Sequence, residues 1–585
     1  MTAAAAPPPA FPSPPPGAAP APAAASASAS PGPAADRLAS EALLRCWIRE
    51  HRVAAPPDGM LRLDVGGAVL AVPVEYWSPT GMHRLGTPST AAGPLSPGGL
   101  AQLMGEGAGA GGGALEELVG RVVESADRIA AHLADRAARP APDPGATPFL
   151  VAEQGLLAGH PLHPTPKSRD GLDRASAARY SPELRGSFPL HWFAADPELA
   201  VHDSELGPSA PDLAVFLSSL VPDGRALIPA HPWQAGELLR RPPVVDLIAS
   251  GRLAYLGPAG ADWHPTSSLR TVYRPDVPVM LKLSLALNIT NSRRENLRKE
   301  LLRGIEAHRL LSGELGTRLL TAHPGFRVLT DAAFLAADGV PGLDVSFRHS
   351  PFRPSDFVYC VAALTDLGRG AAAGDGLPHE LAAHVYAIAA AEGRSPMAVA
   401  DEWFARYVSI LITPLLWLDA EYGVTLEAHQ QNTLVQLDQR GYPAVGWYRD
   451  NQGFYYRESR IAELETLGAL PGLGRASDTV VPDRVVTERL LYYVGINNLM
   501  GVAGAFGCAG LSDERRLLGL AADLLAPLRG HPPVDLLLGA QALRCKANLR
   551  TRVAGLDELV GELATQSVYV EVANPFATPA GTGPR

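Results

Sequence analysis

From Val279 to Thr290, every second residue is a large aliphatic one, and the residues between them are mostly polar or small. A period of two is typical of a β-strand, because successive side chains point to opposite faces. Residues 267–273 are also strand-like, and Arg274–Pro278 supplies the turn residues between the two segments. The pattern therefore predicts a β-hairpin with one apolar face and one polar face.

Two cations share the polar face of this hairpin. Symmetric pairing about the turn places Arg270 opposite Lys282 and Ser268 opposite Ser284. Like charges directly opposite each other are destabilising, so the arrangement favours an anion between them, such as a triphosphate. The alternative is that both side chains extend into water.

The polar face continues through Asn288 into 290–294, where we expect a helix to begin. Free amides at a helix N-terminus bind phosphate, and Arg293 or Arg294 could add a bidentate contact. Lys282 and Thr290 would lie about 26 Å apart in a straight strand. Either the strand bends, or the two residues bind opposite ends of an extended ligand.

A second polar hairpin is predicted at 424–450. Alternation sends Glu427, His429 and Gln431 to one face, with Asn432 adjacent. The turn 438–441 returns the chain beside Asp450. Carboxylate and amide oxygens suit Mg²⁺, which favours Glu427, Asn432 and Asp450 as ligands, whereas a single His disfavours zinc. The alternative is a solvated polar edge strand.

Two histidine clusters lie earlier in the chain. His160, His163, Lys167 and Arg169 fall within ten residues and form a cationic patch suited to a polycarboxylate. The other cluster is 231–234, His-Pro-Trp-Gln. For each cluster the alternative is a turn with a hydrogen-bonded imidazole.

Composition excludes several classes of protein. The 585 residues carry a formal net charge of −10, which argues against nucleic-acid coating because phosphate binding needs a basic surface. Four scattered cysteines disfavour a disulfide framework and fit a reducing cytoplasm. The apolar run 407–418 is too short to span a bilayer, and no basic residue precedes Arg37, so a signal peptide is not expected. We predict a cytoplasmic protein without nucleic-acid or membrane partners.

The order helices, sheet, mostly helices predicts an α+β fold. Of the first 36 residues, 32 are Ala, Pro, Ser or Gly, so residues 1–36 are predicted to be a disordered tail.

The Gly-rich stretch 105–113 is predicted to be a connector rather than a phosphate loop, because no Gly-Lys-Ser/Thr follows it. No Gly-x-Ser-x-Gly motif occurs and no cysteine has a nearby His, which disfavours covalent nucleophilic catalysis.

In order and spacing, these motifs resemble the IucA/IucC family of siderophore synthetases that act independently of nonribosomal peptide synthetases. The resemblance covers about 150–550 and implies a cupped-hand fold with a helical thumb (37–195), antiparallel β fingers (196–390) and a mainly helical palm (391–585). It also implies ATP and Mg²⁺ as cofactors and a homodimer. The implied reaction is adenylation of a carboxylate, loss of pyrophosphate, and capture of the acyl-adenylate by an amine or hydroxyl.

The resemblance also assigns residues. The implied ATP contacts are Ser268, Arg270, Thr271, Lys282, Thr290, Arg294, His429 and Gln431, with Lys282, Arg294 and His429 as catalytic residues. The implied metal ligands are Glu427, Asn432 and Asp450, and the implied carboxylate ligands are His160, His163, Lys167 and Arg169.

The pattern His163-Pro-x-x-Lys-x-Arg169 favours the branch of the family that activates citrate over the branch that activates acylated citrate or a succinyl hydroxamate. Two other classes stay open. A phosphotransferase would also bind ATP and Mg²⁺ through Asn and Asp, and a siderophore- or citrate-binding protein would bind the anion without consuming ATP.

Overall fold

The computed structural model describes residues 31–206, 224–289, 292–374, 376–556 and 567–577. Helices and sheets are mixed within these ranges, as the α+β prediction requires. The division into thumb, fingers and palm stays a prediction. No helix in the described ranges combines the length and the apolar character needed to cross a membrane.

The N-terminal helix, Pro31–Glu50, begins inside the stretch that we predicted to be a tail. Ala35 is fully buried, and it packs with Leu38 against Ile129 of the helix Gly113–Ala138. The boundary at 36 was therefore wrong, because a long-range contact orders residues whose own composition does not. Residues 1–30 lie outside the described ranges.

Short strands and further helices complete the N-terminal part. The Gly-rich stretch connects the helices Pro97–Gly107 and Gly113–Ala138, in agreement with the prediction of a connector. Two more helices are Pro148–Glu153 and Arg174–Tyr180. The strands are Met60–Val65, Ala68–Tyr76, Arg84–Leu85, Ser89–Thr90 and Gly93–Pro94.

An antiparallel sheet of eight strands forms the middle of the molecule. In spatial order its strands are Ala200–Ser204, Asp331–Ala337, Asp344–His349, Val279–Leu283, Thr271–Tyr273, Leu253–Pro265, Phe188–Ala195 and Ala226–Ala230. The helices of this part are Pro232–Leu238, Pro242–Ala249, Arg298–Ser312 and Glu314–Ala322.

The alternating segment 279–290 is not one strand. Val279–Leu283 is a fully buried central strand, whereas Leu285–Ile289 pairs with Ser292–Arg294 and Arg169–Asp170 in a separate sheet. The chain changes sheet at Ser284, whose hydroxyl donates to Asp344 at 2.8 Å. The strand therefore bends, as one of our two alternatives required. Thr290 lies outside the described residues.

The register of the first hairpin differs from the prediction by one residue. Thr271 pairs with Lys282, and the segment before it is a turn in which the Leu269 amide donates to the Thr266 carbonyl at 2.9 Å. Arg270 and Ser268 therefore lie in this turn rather than on a strand face. The predicted helix start at 290–294 is also wrong, because 292–294 pairs as a strand and the helix begins at Arg298.

The C-terminal half is mainly helical around the largest hydrophobic core. The predicted long helix near 397–420 is observed as Pro396–Tyr407, a π-helical turn Val408–Ile412 and Thr413–Tyr422. Pro414 explains the interruption, because it has no N–H for the regular α-helical bond. The other helices are Val361–Leu364, Gly368–Ala373, Glu380–Glu392, Ile461–Gly468, Asp483–Leu490, Leu491–Met500 (π-helical), Gly501–Cys508, Glu514–Leu525, Pro532–Gly539 and Asn548–Val553.

Small sheets lie among these helices. The second hairpin is confirmed for 433–449, where Thr433 pairs with Tyr448. Residues 427–432 form a loop instead of a strand. The backbone amide of Asn432 donates to the His429 carbonyl at 2.9 Å. The strands are Phe326–Leu329, Val358–Cys360, Val424–Leu426, Thr433–Leu437, Pro443–Arg449, Phe454–Arg457, Val480–Val481, Ala542–Lys546 and Tyr569–Ala573.

Candidate active site

One cavity of about 390 Å³ lies where the central sheet meets the C-terminal helices. Every predicted site residue within the described ranges lines it: His160, His163, Lys167, Arg169, Ser268, Arg270, Thr271, Lys282, Arg294, Glu427, His429, Gln431, Asn432 and Asp450. The lining is rich in Arg and Lys although the chain as a whole is acidic. The tertiary structure thus brings distant motifs to one site suited to anions.

Lys282 reaches across the cavity to the C-terminal half. Its Nζ donates to Asp450 Oδ1 at 2.6 Å and also contacts the Asn451 side-chain oxygen. Burial lowers the pKa of Lys282 to about 8, although Asp450 opposes this shift. Burial raises the pKa of Asp450, but Lys282 and Arg348 outweigh it and hold that pKa well below its usual range. Asp450 is therefore ionised at neutral pH.

Arg270 is held by a chain of buried polar groups. Its guanidinium donates to the Asn296 side-chain oxygen and to the Arg294 carbonyl. Asn296 Nδ2 in turn donates to Asp344 at 2.6 Å, and burial raises the pKa of Asp344 to about 6. No carboxylate in the described ranges forms an ion pair with Arg270, so its charge is left for a ligand.

Arg294 lines the cavity and makes no side-chain hydrogen bond or ion pair with any residue that the structure describes. The prediction that places phosphate near Arg270, Lys282 and Arg294 therefore fits the side chains. Its premise of two directly opposed cations was wrong, since the turn at 266–270 replaces the predicted strand.

The loop 427–432 supplies the opposite wall. The Glu427 amide donates to the Gly453 carbonyl at 2.8 Å, and a Cβ at Gly453 would lie 2.7 Å from the Glu427 Cβ, so only glycine fits there. The Glu427 carboxylate accepts hydrogen bonds from the Tyr455 hydroxyl and from Arg489. Burial lowers the pKa of His429, which keeps its imidazole neutral at pH 7.

The predicted magnesium ligands fit that ion by donor type. Asn432 Nδ2 lies 3.5 Å from Asp450 Oδ2 and 3.1 Å from the Glu427 carbonyl, so the three residues are neighbours. Two carboxylates and an amide oxygen are ligands that Mg²⁺ accepts. In the described ranges, no three His, Cys, Asp or Glu side chains form a metal-binding group.

The predicted cationic patch at 160–169 carries less unpaired positive charge than its sequence suggests. Lys167 Nζ donates to Glu183 Oε1 at 2.6 Å, and Arg169 donates to the same oxygen. Burial raises the pKa of Glu183, but Arg169 and Lys167 hold it well below its usual range. Burial also lowers the pKa of His160 to about 3, so this imidazole is neutral at pH 7.

The cluster at 231–234 is structural, as the alternative for it stated. The His231 ring accepts the Trp233 amide at 3.1 Å and caps the helix Pro232–Leu238. Gln234 accepts the Ala286 amide at 2.7 Å. The cavity lining does not include His231.

Sequence reasoning missed several cavity groups. Arg348, Asn497 and Lys546 line the cavity, and none stands in a motif that suggested a ligand. Glu153 is fully buried beneath it and binds Arg449. A signal did exist for Glu153, because it is the one charged residue of the apolar helix Pro148–Glu153.

Comparisons with known proteins show the family of the chain. Residues 148–366 match a family model described as "IucA / IucC family", and residues 401–561 match one described as "Ferric iron reductase FhuF-like transporter". The chain is 42% identical over 449 residues to the rhizobactin siderophore biosynthesis protein RhbC of Rhizobium meliloti, covering 73% of this chain and 75% of that protein.

Two further relatives are informative. A spermidine-citrate ligase of Bacillus anthracis is 39% identical over 74% of each chain. The structure of ATP-bound aerobactin synthetase IucA from Klebsiella pneumoniae superposes with a TM-score of 0.80 at 26% identity, covering 92% of this chain and 99% of that one. The protein whose cavity is described above therefore belongs to the IucA/IucC family.

Proposed function

We propose that the protein is an ATP-dependent siderophore synthetase that adenylates citrate and condenses it with an amine or hydroxyl nucleophile. The observation that carries the proposal is the convergence of Arg270, Lys282 and Arg294 with Asp450 and Glu427 in one cavity. Relatives named as citrate ligases support the choice of citrate.

The proposed chemistry has two steps. A citrate carboxylate oxygen attacks the α-phosphorus of ATP, the bond to the β-phosphate oxygen breaks, and pyrophosphate leaves. The nucleophile then attacks the acyl carbon, loses a proton, and AMP leaves. Lys282, Arg270 and Arg294 would stabilise the negative charge that develops on the phosphates.

The remaining predicted residues would orient the nucleotide. Ser268, Thr271 and Gln431 carry neutral hydrogen-bonding groups at the cavity wall, and Thr290 is proposed here on the motif alone. The neutral imidazole of His429 can accept a proton, which suits a role in deprotonating the attacking amine.

Glu427, Asn432 and Asp450 would hold Mg²⁺. The ion would neutralise phosphate charge when bound. Asp450 forms an ion pair with Lys282, so the proposed metal ligand and the proposed phosphate ligand are adjacent.

For the citrate subsite, we propose the cavity wall that carries His160, His163, Lys167 and Arg169. Because Glu183 already neutralises one of the two cations, this wall offers hydrogen-bond donors more than free charge. The charge of this wall therefore supports citrate as the substrate less strongly than the sequence pattern suggested. The stronger support for citrate comes from the named relatives.

Pyrophosphate release with ATP and a panel of carboxylates, with and without amines, tests the proposal. We expect citrate to give the fastest release and AMP as the nucleotide product. Formation of ADP would instead indicate a phosphotransferase, and no ATP consumption would indicate a binding protein. Fastest release with a succinyl hydroxamate or an acylated citrate would move the protein to the other branch of the family.

A further inference from the structure

Glu153 and Arg449 form a buried ion pair at the wall of the candidate active site, where Arg449 lines the cavity and Glu153 lies outside the lining. Arg449 Nη1 lies 2.8 Å from Glu153 Oε1, and Nη2 lies 3.2 Å from Oε2, so the pair is bidentate. Glu153 is fully buried, and Arg449 is 6% exposed. Such a pair is costly to desolvate, which makes its position informative.

The pair joins three separate parts of the chain. Glu153 ends the helix Pro148–Glu153 and accepts the Ser267 amide at 2.9 Å. Arg449 also donates to the Ser267 hydroxyl at 3.1 Å and to the Gln431 carbonyl at 3.1 Å. Gln431 Nε2 completes the connection by donating to the Ser267 carbonyl at 3.1 Å. These bonds bridge the turn 266–270 and the loop 427–432.

The turn that is bridged carries local strain. Leu269 has a φ of +65°, in the left-handed region that non-glycine side chains rarely adopt. Such a conformation persists only where the surroundings impose it, and it occurs preferentially at functional sites. Its neighbours Ser268 and Arg270 both line the cavity.

We infer that Glu153 and Arg449 are positioning residues that hold the turn 266–270 at a set distance from the loop 427–432 before substrates bind. This inference rests on the proposed function, because it assigns the turn to ATP and the loop to ATP and Mg²⁺. Neither Glu153 nor Arg449 need touch a substrate in this role. The pair keeps the two walls of the cavity pre-organised, which lowers the entropy cost of assembling the site.

The chain offers a matched control. Arg457 and Asp419 form a second buried bidentate pair, with N···O distances of 2.8 and 2.7 Å, and Asp419 is 1% exposed. Neither residue lines the cavity. Glu153→Gln and Asp419→Asn each remove one buried carboxylate charge, so both should lower thermal stability.

The test compares pyrophosphate-release kinetics and hydrogen exchange in these two variants. Glu153→Gln should raise the KM for ATP roughly tenfold or more and increase exchange in peptides covering 266–271 and 427–432. Asp419→Asn should leave both readouts at the parent values. If Glu153→Gln fails to fold, Arg449→Lys takes its place in the test. Lysine keeps the positive charge but cannot form the bidentate pair, so this variant is expected to show the same two changes.

The inference is overturned if Glu153→Gln, or Arg449→Lys in its place, loses stability yet keeps the parent KM for ATP and the parent exchange at both segments. The pair would then be a structural contact only. An inactive parent protein, by contrast, would contradict the proposed function, and the exchange data would still report on the pair.

Discussion

The two cationic regions of the cavity look alike in sequence but differ in how their charges are balanced. At 160–169, Lys167 and Arg169 share the buried carboxylate of Glu183. In the group Arg270, Lys282 and Arg294, the two arginines have no carboxylate partner in the described ranges, whereas Lys282 is paired with Asp450. A cation with a buried partner contributes to the fold, whereas one without a partner is available to an anionic ligand. The following predictions test this difference.

The largest expected effect is on activity, at Arg294. Replacing Arg294 with Ala should lower kcat/KM by about 10² to 10³, because one preorganised cation is lost from developing phosphate charge. The free energy of unfolding should change by less than about 0.5 kcal/mol, since the side chain has no bonded partner in the described structure. Steady-state pyrophosphate release and denaturant titration measure the two quantities. A large loss of stability would contradict the comparison.

At Lys167 we expect the larger effect on stability rather than on activity. Lys167→Ala leaves Glu183 with Arg169 alone in a buried site and should lower the free energy of unfolding by about 2 to 4 kcal/mol. Thermal and denaturant melts measure this, with Arg294→Ala as the matched control. If Lys167→Ala melts like the parent and changes only the KM for citrate, the 160–169 wall is a substrate site without a structural role.

The Lys282–Asp450 pair predicts a pH dependence of ATP affinity. The proposed contact with phosphate requires protonated Lys282, whose pKa burial lowers to about 8. Affinity should therefore fall as pH rises above 8, by up to about tenfold per unit until the pKa of Lys282 in the ATP complex is reached. Calorimetric titration of ATP between pH 7 and 10 measures this, and Lys282→Arg should lack the decrease. An identical profile in Lys282→Arg would assign the titration to another group.

Asp450→Asn should raise the Mg²⁺ concentration needed for half-maximal turnover by roughly tenfold, because it removes one formal charge from the predicted ligand set. The measurement is turnover against Mg²⁺ concentration at saturating ATP. Asp419→Asn is a suitable control, since Asp419 is buried and bonded to Arg457, and neither residue lines the cavity. Superimposable Mg²⁺ curves for Asp450→Asn and the parent would make Asp450 a structural residue.

The smallest effect is expected from removing residues 1–30. Their Ala, Pro, Ser and Gly composition can bury little apolar surface, so turnover and melting temperature should stay within experimental error of the parent. Deletion through residue 36 should cost stability, because it removes the buried Ala35. Melting curves of the two truncations distinguish these outcomes, and equal curves would remove the role assigned to the first helical turn.

Local pattern predicted strands near 279–289 and 433–449, but it also predicted strands at 267–270 and 427–432, where the structure has turns or loops. The period-two segment at 279–290 predicted one strand, which the structure divides between two sheets, and the turn residues at 438–441 predicted the second hairpin. The ordered motifs predicted residues that line one cavity, from His160 to Asp450. These inferences succeed because strand periodicity, turn chemistry and ligand type are properties of neighbouring residues.

Three features depend on the tertiary structure alone. They are the register of the strands, the pairing of the cavity cations with carboxylates, and the connection between the two cavity walls. The chain leaves the central sheet at Ser284 because Asp344, sixty positions away, accepts its hydroxyl. Glu183 neutralises part of the 160–169 patch, and Glu153 meets Arg449 across almost three hundred residues. A sequence determines which charges exist and where along the chain they lie, but the dielectric environment and the partner of each charge depend on long-range packing. That packing decides which cations stabilise the fold and which are available to a substrate.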